Sequence, residues 1–309
     1  MPTQPMRHLV CLLLLACASL TAVADHLPNL RQSISPELQR GLNDAIQDLG
    51  LRSAVKRGKL AVALVDITDR NHPRLASVNG DEMMYAASLP KIAILLGAFA
   101  RIEAGDIDLD TDTEQTLEHM IRNSSNAAAT EMLHRVGTSY LAKLLQSPRY
   151  RLYDTSHNGG LWVGKEYGKA QAWRRDPLHN LSHGATALQV ARYYYLLDTG
   201  RLVSPEASRA MKTILGEPAI HHKFVKGLEQ QRPGSEIFRK SGTWRTWHAD
   251  SAIVERDGRR YIAVALAEDP EGGEWLSRLI VSLDDLILDS TPLRVAALAP
   301  KTAPHAVTR

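Results

Sequence analysis

Three short runs of this chain carry residue types that could do acyl-transfer chemistry. In Ala86-Ala87-Ser88-Leu89-Pro90-Lys91, a serine and a lysine stand three positions apart, one turn of helix on the same face. A serine hydroxyl is a weak nucleophile unless a base takes its proton. Lysine can be that base when burial lowers its pKa toward neutrality. Asn123-Ser124-Ser125-Asn126 offers a hydroxyl and an amide, Ser124 and Asn126, which can relay a proton and hold a substrate amide. Lys240-Ser241-Gly242-Thr243 occurs once. There a lysine can attract a carboxylate, Gly242 permits close backbone approach, and the Thr243 amide can donate to an oxyanion. Each run alone is a weak signal, and the first two spacings recur. Ser53-Ala54-Val55-Lys56 repeats the first spacing, and Ser77-Val78-Asn79 and Ser156-His157-Asn158 repeat the second. Ser88 could equally be an N-terminal helix serine beside a surface lysine, and Ser124-Ser125-Asn126 could simply cap a helix.

The elements around the three runs fit a site. Ile92 to Ala100 is apolar on every side, which predicts a helix enclosed in a core, with Pro90 in its first turn and Gly105 beyond its end. Ala127 to Val136, ended by Gly137, predicts a second helix behind Ser124. Ala249 to Val254 and Tyr261 to Leu266 read as antiparallel strands joined at Asp257-Gly258, which puts Lys240–Thr243 on a neighbouring strand. Upstream, Ser35-Pro36 starts a helix to about Gly50, and Leu60–Asp66 and Arg74–Val78 form a hairpin turning near Asn71-His72-Pro73. Glu103 to Asp112 reads as a solvated loop. Thr186-Ala187-Leu188-Gln189 is a capping box for a helix to Gly200, and Trp275 to Asp289 reads as a closing amphipathic helix.

Composition sets the class. The 309 residues are 44% hydrophobic and 23% charged, ordinary for a globular protein. A formal charge of +3 without a basic run argues against nucleic acid. Residues 1–24 read as an export signal: Arg7 and His8, an apolar run Leu9–Ala18 too short to span a bilayer, then Ala22-Val23-Ala24 before Asp25. Leu14-Leu15-Ala16-Cys17 also matches a bacterial lipoprotein box, which would leave Cys17 as a lipid anchor. Both cysteines, Cys11 and Cys17, lie in this segment, so a chain cleaved after Ala24 has neither disulfide nor thiol chemistry. The expected product is exported, periplasmic or secreted, with one domain over 25–290 and a disordered Ala/Pro-rich tail over 291–309.

Taken together and in this order, S-x-x-K, S-x-N and K-[S/T]-G resemble the penicillin-recognising serine hydrolases, within them the class A β-lactamase-like branch. The resemblance covers about Leu60 to Asp289. It implies an α/β (α+β) sandwich, an antiparallel sheet from both chain ends flanked by helices plus an all-helical subdomain, with the site between them. It implies Ser88 as acylated nucleophile, Lys91 as its base, and Ser124, supported by Lys240, as proton shuttle to the leaving nitrogen. Asn126 would hold the substrate amide. Thr243 would bind the substrate carboxylate, and its amide with that of Ser88 would form the oxyanion hole. Ser241, Gly242 and Trp244 join the substrate-binding set. The expected partner is a small-molecule β-lactam or a peptidoglycan peptide, handled by a monomer without cofactor or metal.

The chain departs from the family pattern where the acyl group is removed. Class A enzymes place a glutamate in an E-x-x-L-N loop; here the match is Asp176-Pro177-Leu178-His179-Asn180, with a shorter acid. Glu166 is a second candidate. Ser124 follows Ser88 by only 36 residues, which predicts an open cleft for a larger substrate. Trp244 and Trp247 would suit a bulky or glycan-bearing ligand, whereas Trp162 and Trp173 read as core. His221 and His222 read as exposed loop residues, and His248 as structural. Three functions remain open: a β-lactamase, a penicillin-binding D-alanyl-D-alanine carboxypeptidase or other wall peptidase with slow deacylation, and a non-catalytic sensor of wall fragments.

Overall fold

The computed structural model describes residues 28–289. The segment read as an export signal (1–24) and the tail expected to be disordered (291–309) lie outside the described residues. Helix α1 (Pro36–Asp48) is capped by the Ser35 hydroxyl, which accepts from Leu38 N, with Pro36 in the first turn. A short α2 (Arg52–Lys56) leads to β1 (Leu60–Asp66), β2 (Arg74–Val78) and β3 (Met84–Tyr85). The helical part follows as α3 (Lys91–Glu103), α4 (Thr111–Ile121), α5 (Asn126–Val136) and α6 (Thr138–Gln146). Short strands β4 (Tyr153–Asp154), β5 (Gly159–Gly160), β6 (Trp162–Val163) and β7 (His183–Ala185) precede α7 (Ala187–Asp198), α8 (Pro205–Leu215) and α9 (Phe224–Gln231). The chain closes with β8 (Glu236–Trp244), β9 (Trp247–Arg256), β10 (Arg259–Glu268) and α10 (Gly272–Leu288).

The main sheet is antiparallel, in the order β2-β1-β10-β9-β8, so the chain ends meet at its centre through β1 and β10. Strand β1 is buried along its whole length. Ala61, Ala63 and Val65 face the helical part, and Leu60, Val62 and Leu64 face the layer of α1, α9 and α10. A strand covered on both faces has no polar face to show, hence its continuous apolar run. The turn between β9 and β10 falls on Asp257 and Gly258, both in left-handed conformation, as a tight hairpin requires. On the expectation of an α/β sandwich with a helical subdomain, sequence and structure agree.

The differences are local. The S-x-x-K serine is not inside the helix: Ser88 sits in the turn before α3, where Lys91 N donates to Ser88 O and Pro90 is the cap. Ala87 just before it has φ +49, a left-handed conformation costly for a residue with a Cβ. Asp110, at the end of the expected polar loop, caps α4, a helix the apolar periodicity did not reveal. Serine 125, not Ser124, caps α5 by accepting from Ala128 N. Capping therefore uses one serine of the pair and leaves Ser124 for other work.

Candidate active site

The three runs meet where the turn before α3, the α4–α5 connection and the edge strand β8 converge. The cleft they bound has a volume of about 640 Å³ and is lined by Ser88, Asn126, Thr243, Trp244, Trp247, Tyr85, and the 165–169 and 181–183 segments. Ser88 is half-buried at its floor.

Lys91 is fully buried as the first residue of α3. Its Nζ donates to Ser124 O (2.5 Å), Ser125 O (3.1 Å) and Asn126 Oδ1 (2.9 Å), which satisfies an ammonium. Burial nevertheless pushes its pKa down to about 7. At neutral pH a large fraction is therefore the free amine, the form that accepts a proton.

Ser124 lies between two lysines. Its Oγ is 2.9 Å from Lys240 Nζ and 3.4 Å from Lys91 Nζ, with its backbone held at φ +56. A hydroxyl that accepts from ammonium groups has its own proton free to donate. Lys240 is buried on β8 and also donates to Ser241 O (2.8 Å). Burial, then the charge of Lys91, hold its pKa well below the usual lysine range. Two amines sharing one hydroxyl in a dry site could pass a proton through it, and full charging of both is disfavoured.

Gly242 makes the approach of the strand to Ser88 possible. A Cβ at this position would lie 2.1 Å from Ala86 O, 2.8 Å from Ser88 N and 2.9 Å from Leu89 N, all backbone atoms. The backbone of β8 therefore runs against the Ser88 turn, with Thr243 next in line. Ser241 is buried in the sheet and contributes through its backbone.

Sequence reasoning missed Lys223. No motif marks it; it follows two histidines and caps α9 with φ +53. It is buried beneath the strand end, where Nζ donates to Gly242 O (2.6 Å), Thr243 Oγ1 (2.7 Å) and Ala249 O (3.2 Å). Burial lowers its pKa to about 8, against the opposing pull of Asp250. Because Thr243 Oγ1 accepts from Lys223, its own proton points elsewhere. A hydroxyl donor backed by a cation is a seat for a carboxylate.

The two candidate deacylation acids are placed differently. Asp176 is buried and does not line the cleft. Its Oδ1 accepts from Tyr153 OH (2.9 Å), Leu178 N (3.2 Å) and His179 N (3.1 Å), and its Oδ2 from Leu181 N (2.7 Å). Three donors crowd Oδ1 and one backbone amide holds Oδ2, so both carboxylate oxygens are engaged within the loop. Asp176, one of the two acids expected as candidates to activate the deacylating water, is thus held inside its own loop and away from the cleft lining. Asn180, at φ +57, closes the same turn by donating to Asp176 O. Glu166 does line the cleft, but its Oε1 is 2.6 Å from His134 Nε2 on α5.

Trp244 is 56% exposed at the cleft rim, and Trp247 packs edge-on against Tyr85 at 6.1 Å. Trp162 is fully buried and Trp173 packs on the core, as read from the sequence. His221 pairs with Glu229 and His222 with Arg239; among the described residues no group of three or more His, Cys, Asp or Glu is placed to hold a metal ion.

The solved structures that share this architecture are distant in sequence. PBP-A is 18% identical with a TM-score of 0.62, covering 84% of this chain and 99% of its own. A β-lactamase from Sphaerobacter thermophilus is 17% identical with a TM-score of 0.61, covering 80% and 96%. A mutant of a reconstructed class A β-lactamase, the last common ancestor of Gram-negative bacteria, is 19% identical with a TM-score of 0.61, covering 81% and 98%. At these identities the likeness establishes the fold. No curated protein sequence matches the chain. The model of the β-lactamase enzyme family matches residues 41–116 and 110–290, nearly all that the structure describes, and the chain belongs to that family.

Proposed function

We propose that this protein is a serine acyl-transfer enzyme of the penicillin-binding kind, a D-alanyl-D-alanine carboxypeptidase or related wall peptidase, which deacylates slowly. In the forward half, Ser88 Oγ attacks the amide carbonyl while the Lys91 amine takes its proton. The backbone amides of Ser88 and Thr243 stabilise the oxyanion. The C–N bond breaks as Ser124 gives its proton to the leaving nitrogen and is reprotonated from the lysine pair. Thr243 and Lys223 hold the substrate carboxylate, Asn126 the amide on the acyl side, and Trp244 the bulk beyond it.

The surroundings of Lys91 carry the second half of the reading. Among the described residues no carboxylate is within ion-pair distance of its amine, which is ringed by carbonyl, amide and hydroxyl oxygens. Asp176 is consumed inside its loop, and Glu166 is tied to His134. Water reaching the ester therefore finds no free carboxylate base, and hydrolysis is slow. A solved acyl-enzyme complex of a PBP-A mutant with penicillin G is a relative of the same fold. An exported, wall-facing location fits the leader read over residues 1–24.

The test is intact-mass spectrometry of the protein mixed with benzylpenicillin, from seconds to an hour, beside Ser88→Ala. A stoichiometric adduct that persists, absent from the variant, is the expected result. Rapid drug consumption with a vanishing adduct would instead identify a β-lactamase. No adduct with penicillins or D-alanyl-D-alanine peptides would overturn the reading.

A further inference from the structure

Tyr167 belongs to none of the three motifs, yet it covers the catalytic base. Its ring centroid is 4.7 Å from Lys91 Nζ. The ring lies tilted against His183, with centroids 4.4 Å apart, and borders the cleft beside Ser88. Its hydroxyl is buried without a hydrogen-bond partner. A buried tyrosine usually finds a partner for its hydroxyl, so packing rather than hydrogen bonding holds this one.

The position of the ring is heavily determined. Tyr167 N donates to Thr130 Oγ1 (3.2 Å), and the preceding Glu166 pairs with His134, both on α5. His183 Nε2 is 3.0 Å from Lys165 O. Gly164 abuts the Arg174 carbonyl so closely that a Cβ there would lie 1.7 Å from it. The segment before the tyrosine is thus pinned to α5, to β7 and to the returning loop.

We propose that Tyr167 is a positioning residue for acyl transfer: its ring seals the Lys91 amine from water, keeping it a competent base for acylation and denying water that base in the acyl-enzyme. The reaction it serves is that of the preceding section, on which this inference rests. The groups facing Lys91 are Ser124 and Ser125 from the α4–α5 connection, Asn126 from the start of α5, Lys240 from β8, His183 from β7 and Tyr167 itself. His183 is neutral, because burial lowers its pKa to about 4, and the other titratable neighbours are amines or a phenol. Desolvation is therefore what lowers the Lys91 pKa to about 7. The attraction of the ring face for an ammonium acts in the opposite direction and is the smaller effect.

The experiment compares the full-length protein with Tyr167→Phe, Tyr167→Leu and Tyr167→Ala. The Lys91 titration is followed by NMR of ¹³C-labelled lysine side chains, assigned with Lys91→Arg. Acylation by benzylpenicillin is followed across pH, with the lifetime of the adduct. Phe should match the wild type. Ala should raise the Lys91 pKa by about one unit or more, which lowers the neutral fraction at pH 7 from about one half to about one tenth, a roughly fivefold loss of acylation rate. It should also shorten the adduct lifetime severalfold; Leu should move both in the same direction, less far. An unshifted Lys91 titration in folded Ala or Leu protein overturns the inference. The titration needs no substrate, so a failure of the proposed function, seen as no adduct in wild type, is read separately.

Discussion

Gly242→Ala is the sharpest perturbation the site offers, because it adds one methyl group where only backbone surrounds it. The new Cβ would stand 2.1 Å from Ala86 O and 2.8 Å from Ser88 N. Non-bonded carbon contacts sit near ~3.5 Å, so strand and turn must separate by more than about 1 Å. Neither side yields easily: Lys223 clamps Gly242 O at 2.6 Å, and the Ser88 turn is braced by Leu89 N donating to Ala86 O. The separation falls between the Ser88 and Thr243 amides, the two oxyanion donors of the proposed mechanism. Losing one such donor costs roughly 10²–10³ in rate, about 2.7–4 kcal/mol, and a misplacement of about 1 Å costs a comparable ~10². The acylation rate constant should fall by about two orders of magnitude. Lysine 223 and Thr243 remain, so carboxylate affinity should change far less. Stopped-flow acylation by a chromogenic cephalosporin at several concentrations separates the two parameters, and thermal unfolding checks the fold. A folded Gly242→Ala protein that acylates within about threefold of wild type would refute the assigned oxyanion geometry.

Other outcomes follow from the same contacts. Acylation should rise with pH through about 7 and then level, because Lys91 must lose its proton to act; the profile of the acylation rate constant against pH reads this directly, and a flat profile from pH 5 to 9 would remove Lys91 as the base. Lys223→Met should reduce acylation efficiency about tenfold for a β-lactam with a free carboxylate and leave its methyl ester nearly unaffected, a difference seen by comparing the two compounds. Asp176→Ala strips the acceptor from three backbone amides and Tyr153, so denaturant unfolding should show a loss of about 3 kcal/mol while the adduct lifetime stays the same; a lengthened lifetime would restore Asp176 as a deacylation base. Tyr167→Phe removes a buried hydroxyl without a partner and should raise the melting temperature, consistent with a gain of about 1 kcal/mol.

Much of this was legible in the residues themselves. The enclosed helix after Ser88, the continuous apolar run of β1, the Asp257-Gly258 hairpin and the caps at Ser35 and Thr186 rest on local rules of backbone and burial, which a sequence states openly. The order of the three motifs named the family because each needs only neighbours within a few positions. What the sequence by itself determined is therefore the family, the main-sheet hairpins and the enclosed helix, together with the three runs that the proposed mechanism uses.

Tertiary structure decided the rest, because the deciding contacts join residues far apart in the chain. Lys223 is an ordinary lysine until the fold places it under a strand end about twenty residues away. Tyr167 looks like a loop aromatic until α3 brings Lys91 beneath its ring. Asp176 stands where the family's loop pattern has its acid, yet one Tyr153 hydroxyl and three amides of its own turn claim its carboxylate first. A carboxylate in a loop can anchor that loop or face a substrate, and the choice depends on which donors surround it in three dimensions, which spacing along the chain does not encode.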